Sequence, residues 1–196
     1  MPSEAKNHKK NGKRLLLVNT GSRKKRFTLK RLHDLGYELI ILNKSVNWAK
    51  GYAQHWILAD TTDHDACLRA VNAFFERQPE LRPHGALTFW DDDVLLASKI
   101  TDQLGLTGIG FEVARRARDK HLFREFCRDH GLPHPGYAML DPSADLVETV
   151  RNLKFPLVIK PIFGSSSSFV VRVDDAESLK ETVAYIAANI SVDVEP

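Results

Sequence analysis

Lys160 closes an otherwise apolar run, Phe155-Pro156-Leu157-Val158-Ile159-Lys160-Pro161, and Gly164-Ser165-Ser166-Ser167-Ser168 follows within a few residues. A lysine in an apolar strand is costly unless its ammonium reaches water or an anion. The small residues after it expose backbone N–H groups and hydroxyls, all donors, toward one concave space. A lysine beside a donor loop can cradle a phosphate. The same residues also describe a flexible serine-rich hairpin turn with a lysine at the strand end. Asp91-Asp92-Asp93 offers carboxylates that suit a hard cation. Three acids at the start of an apolar helical pattern suit the helix dipole better, and capping is the reading taken here. The eight histidines show no zinc spacing, and His130 and His134 flank a turn without a cysteine pair. Neither a P-loop nor a Gly-x-Ser-x-Gly elbow is present. Gly21 follows an apolar run, but the dinucleotide Gly-x-Gly-x-x-Gly pattern is absent, and Asp60 reads as a turn residue.

The elements that must position these groups alternate along the chain. Apolar runs at Leu15–Asn19, Glu38–Leu42, Trp56–Ala59 and Gly85–Trp90 read as buried strands. Between them, Leu29, Leu32 and Leu35 share one helical face ending at Gly36. Cys67, Ala70, Val71, Phe74 and Phe75 form a second stripe. Val94, Leu95, Ala97 and Ile100 carry a third helix to Leu104-Gly105. Strand–helix alternation of this kind predicts a parallel sheet with helices on both faces. A second unit begins near Phe111. Arg115 to His130 reads as one helix, with Leu122, Phe123, Phe126 and Cys127 inward, and Pro133 lies just beyond its end. Tyr137–Leu140 reads as a short strand, then come the lysine-ending strand, the serine loop and the strand Phe169–Val173. Asp174-Asp175 caps a last helix carrying Leu179, Val183, Ile186 and Ala187.

In this order the motifs resemble the ATP-grasp superfamily, over roughly residues 13–190. Asp119-Lys120, within Ala114–Arg124, is similar to the family's helix with an Asp/Asn-Lys pair. Gly131-Leu132-Pro133-His134-Pro135-Gly136 resembles its Gly-x-Pro-x-Pro turn. The run ending at Lys160 and the loop Gly164 to Ser168 resemble its lysine strand and phosphate-covering loop. The nearest subgroup is the carboxylate–amine ligases, including L-amino-acid ligases and biotin-carboxylase-like enzymes. The resemblance implies that MgATP phosphorylates a carboxylate and that an amine then displaces phosphate from the acylphosphate. It implies that Lys120 and Lys160 contact the ATP phosphates, with Lys160 also near the adenine. Gly164, Ser165, Ser166, Ser167 and Ser168 would close over the β- and γ-phosphates. Two ammonium groups offset triphosphate charge in a partly dry cleft. The loop here has more serine and less glycine than the family's usual version, and serine resists positive φ. The family's Mg2+ ligands lie beyond the part that corresponds to this chain. The expectation is therefore an N-terminal fragment with an incomplete ATP site, inactive by itself.

Composition excludes several classes. Of 196 residues, 43% are hydrophobic and 27% charged, ordinary for a globular protein rather than a disordered or collagen-like chain. Every apolar run falls short of the roughly 18 residues of a spanning helix. The N-terminal lysines precede no apolar core, so a secretory leader is not expected, and two distant cysteines suit a reducing cytoplasm. The net charge of +3 hides an asymmetry: residues 1–31 hold eleven of the 28 Lys and Arg against one acid, Glu4. Such blocks can contact nucleic acid, but no aromatics interleave the tail for base stacking, and a solvated tail is the reading taken. The expected fold is α/β: a basic disordered tail (1–12), a Rossmann-like pre-ATP-grasp domain (13–111) and an incomplete ATP-grasp domain (112–196). The expected partners are small-molecule carboxylate and amine substrates. Rival readings are a non-catalytic nucleotide- or partner-binding module and a nucleic-acid binder.

Overall fold

In a computed structural model that describes residues 12–164 and 167–190, the first apolar run forms β1 (Arg14–Val18). It is followed by β2 (Glu38–Asn43), β3 (His55–Leu58) and β4 (Gly85–Leu87). These four pair in the order β3-β2-β1-β4, every pair parallel. The connecting helices are α1 (Arg26–Asp34) and α2 (His64–Arg77), and α3 (Val94–Gln103) follows β4. Near-continuous apolar strands need cover on both faces, and two cores supply it. Leu16, Val18, Ile40, Leu42 and Ile57 pack with Cys67, Val71, Phe74 and Phe75 of α2 and with Leu96 and Ile100 of α3. Leu17, Leu39 and Ile41, alternating to the other face, pack with Leu29 of α1 and with Ala49.

The chain divides into two compact units between Ala114 and Arg115, inside α4 (Phe111–Arg118). In the second unit α5 (Lys120–Asp129) and the one-turn α6 (Leu146–Thr149) precede β5 (Leu157–Ile159). An antiparallel partner, β6 (Val171–Val173), pairs Leu157 with Val173, and α7 (Ala176–Asn189) covers the pair. Its core is Leu146, Val150, Val173, Leu179 and Val183. Asp175 caps α7 and completes a reciprocal capping box with Ser178.

Several expectations are corrected. The stretch Arg115–His130 is two helices, because the Asp119 carboxylate accepts from the N–H groups of His121 (2.8 Å) and Leu122 (2.9 Å) and starts a new helix. Tyr137–Leu140 forms no strand. Phe123 is exposed rather than inward, at 45%. Asp91–Asp93 is a 3-10 turn, and α3 has no side-chain cap. The buried Asp93 carboxylate instead accepts from Asn19 Nδ2 at 2.8 Å, joining the turns after β1 and β4. Cys67 and Cys127 are buried and unbridged, and burial pushes the Cys67 thiol up to about 12. Among the described residues no helix is long and apolar enough to cross a membrane.

Candidate functional site

Asp119 places Lys120 at the first position of α5, and the main-chain N–H of Lys120 donates to the Ile162 carbonyl at 3.2 Å. The Lys120 ammonium donates to the carbonyls of Ile162 (3.0 Å) and Gly164 (3.3 Å). The side chain is thus fastened to the backbone that leaves β5. Lys160 is the first residue after β5 and is exposed. Both lysines line one cavity of about 870 Å3, within the range of small-ligand sites. Leu157, Ile159, Val183 and Ile186 give it apolar walls, and Arg124 and Lys154 add two more cations. Among the described residues no aspartate or glutamate lines it. Cations against low-dielectric walls focus a positive potential, which favours an anion with an apolar body.

The loop is only partly brought to this site. Gly164 has φ +117, a conformation L side chains rarely adopt, and meets Lys120 through its carbonyl. Ser167 and Ser168 are exposed and are not on the cavity wall. Ser165 and Ser166 lie outside the described residues. Despite the resistance of serine to positive φ, Ser167 sits at φ 58 and Phe169 at φ 55. Each left-handed residue of this kind costs about 1–2 kcal/mol.

The sequence reading missed Arg124, His121, Lys154 and Tyr137, all on the cavity wall. Arg124 was accessible, since it follows Lys120 by four residues and so shares its helix face. Tyr137 was not, because its partner is distant: its hydroxyl donates to Glu125 of α5. That hydrogen bond, with Arg128 beside it, holds the Glu125 carboxyl below the usual range. The same bond pushes the Tyr137 phenol up. Among the described residues no group of three His, Cys, Asp or Glu can hold a metal.

No family model matches the chain. Human (Homo sapiens) carnosine synthase 1 is 28% identical over 190 residues, covering 91% of this chain and 23% of that protein. A D-alanine–D-alanine ligase of Cupriavidus pinatubonensis is 33% identical over 91 residues, covering 45% of this chain and 28% of the ligase. An L-amino acid ligase from Bacillus licheniformis superposes with a TM-score of 0.72 at 23% identity, over 91% of this chain and 43% of that one. These relatives and structural neighbours are ATP-grasp carboxylate–amine ligases, and the chain shares the fold of those neighbours. Another ATP-grasp neighbour, N5-carboxyaminoimidazole ribonucleotide synthetase, solved as an ADP complex, has a TM-score of 0.69 at 17% identity. The chain spans about a quarter of the length of the curated relatives it matches.

Proposed function

We propose that this chain provides the phosphate-binding lysines of an ATP-dependent carboxylate–amine ligase acting through an acylphosphate. The observation that carries the reading is the meeting of Lys120 and Lys160 on one apolar-walled cavity free of acids among the described residues. We assign the adenine ring to the apolar walls and the phosphates to Lys120, Lys160, Gly164 and the serines Ser165 to Ser168. The domain bounds 13–111 and 112–196, a cytoplasmic location and small-molecule acid and amine substrates belong to the same proposal. Carboxylate activation and its Mg2+ are assigned to a polypeptide of the relatives' length, in which this stretch holds the nucleotide. When bound, the triphosphate supplies the phosphoryl group that activates the acid. The residues here bind it, orient it and offset its charge.

The test is calorimetric titration of the chain with ATP. Lys160 has no hydrogen bond or ion pair among the described residues, so its removal disturbs little else. Lys160→Ala is expected to weaken ATP binding at least about tenfold, the loss of one charged contact. Unchanged affinity overturns the assignment. A second reading is a nucleotide-binding module without catalysis. It is distinguished in a polypeptide of the relatives' length by supplying acids and amines in turn: a ligase forms at most about one ADP per chain with the acid alone and turns over continuously only with both, whereas a module forms none.

A further inference from the structure

The cavity wall from Pro135 to Leu140 lies outside any sheet. After the Leu132 N–H donates to the Cys127 carbonyl at 2.8 Å, the segment Pro133 to Leu140 makes no backbone–backbone hydrogen bond among the described residues. Its far end is anchored by Leu140, which packs on the core of the second unit. Gly136 lies close to Leu153, so that a Cβ there would come within 2.9 Å of Leu153 Cδ2. The polar tether in between is Tyr137. Its hydroxyl donates to Glu125 Oε1 and accepts from Arg128 Nη1 at 3.3 Å. Arg128 grips the same carboxylate through both terminal nitrogens, at 2.9 and 2.5 Å. The rings of His121 and His134 stand edge-on to the Tyr137 ring at 6.0 and 5.7 Å.

A segment without ladder bonds keeps one geometry only if side chains hold it. Bidentate Arg–carboxylate pairs add directionality that a lone surface ion pair lacks. Glu125 and Arg128 lie on the helix that Lys120 begins, so the tether fixes the wall against the element that presents a phosphate lysine. We propose that Tyr137, Glu125 and Arg128 form a clamp that positions the Pro135–Leu140 wall for the nucleotide. This rests on reading the cavity as the nucleotide site. Tyr137 is a positioning residue in this scheme, acting through the wall.

Three versions of the full chain test it: Tyr137→Phe, Glu125→Gln and the two combined. Phenylalanine keeps the ring contacts and remains a chymotrypsin site, so the rate of cleavage between residues 137 and 140, mapped by mass spectrometry, reads the wall directly. Tyr137→Phe is expected to speed that cleavage about three- to tenfold, the weight of one net hydrogen bond. ATP binding should weaken by a similar factor while the unfolding midpoint stays in place. The double variant should be no worse than the more affected single one, since both break one linkage. Unchanged cleavage overturns the clamp. Faster cleavage with unchanged ATP affinity overturns its positioning role. If the unaltered chain binds no ATP, the nucleotide reading falls, and the cleavage ratio still decides whether the clamp holds the wall.

Discussion

The two lysines of the site stand in different mechanical positions, and the difference is measurable. The Lys120 ammonium ties α5 to the carbonyls of Ile162 and Gly164, while Lys160 projects into solvent at the cavity mouth. Hydrogen bonds from a charged group are worth about 1.5–3 kcal/mol. Lys120→Ala should therefore lower the denaturant-measured stability of the second unit by at least about 1 kcal/mol. Lys160→Ala should stay within about 0.5 kcal/mol, as for a surface substitution. Equal effects would contradict the contacts described. In the first unit Gly21 is equally specific. Its φ is +57, and a Cβ there would lie 1.7 Å from the Trp90 indole. The Trp48 Nε1 donates to its carbonyl at 3.0 Å, and the Lys25 ammonium sits 4.0 Å from the centre of one Trp90 ring. Gly21→Ala combines a left-handed penalty of about 1–2 kcal/mol with overpacking of about 1–3 kcal/mol. The expected result is a large drop in the unfolding midpoint followed by tryptophan fluorescence. From sequence, Gly21 stood only as a glycine after an apolar run, without the rest of a dinucleotide pattern. The indole packed against it comes from 69 residues away, and no local pattern announces such a contact.

At the scale of elements, the strands and amphipathic helices of the first unit were legible because their signals are periodic and local. Failures came where a local competitor or a distant partner decides. The apolar pattern of Arg115–His130 runs through Asp119 without a break, yet its carboxylate bonds to nearby N–H groups and splits the helix. Asp119→Ala should cost about 1 kcal/mol, as for other N-caps, and should loosen Lys120; amide exchange of α5 would show both. Tyr137–Leu140 has the composition of a strand, but a strand needs a ladder and this segment has none. The packing of α2 against α3 carries a pH signature. His64 opens α2, and its Nδ1 lies 3.2 Å from the Lys99 ammonium. Burial first, then Lys99, lowers the His64 pKa. A lowered folded value means the fold prefers neutral imidazole. Its stabilisation is complete above the unfolded value of about 6.5 and is lost as pH falls below it toward the folded value. Urea midpoints of the unaltered chain should fall relative to those of His64→Gln between pH 8 and 5. Parallel curves would refute the placement.

For the whole molecule, the order of motifs pointed to the superfamily of the relatives the chain matches, but the cavity itself was not legible. Its walls come from α5, the Pro135–Leu140 segment, β5 and α7, which only the folded second unit brings together. Arg124 and Lys154, which the sequence reading did not single out, line the same cavity as Lys120 and Lys160. The consequence concerns the charge of the ligand. Four cations line the cavity, no carboxylate joins them, and no metal cluster exists among the described residues. Such a site gains from each negative charge on the ligand, and its described lining holds no carboxylate for a divalent cation. Chelating Mg2+ should then leave ATP binding by this chain unchanged or stronger, because uncomplexed ATP carries more negative charge. Added monovalent salt should weaken it. At ATP a hundredfold above its dissociation constant the second unit should gain about 2.7 kcal/mol. Slower amide exchange should appear in β5, β6 and α7, with β1 to β4 unaffected. Loss of binding in EDTA would mean that a metal ligand outside the described residues takes part, and the four-cation account of affinity would fail.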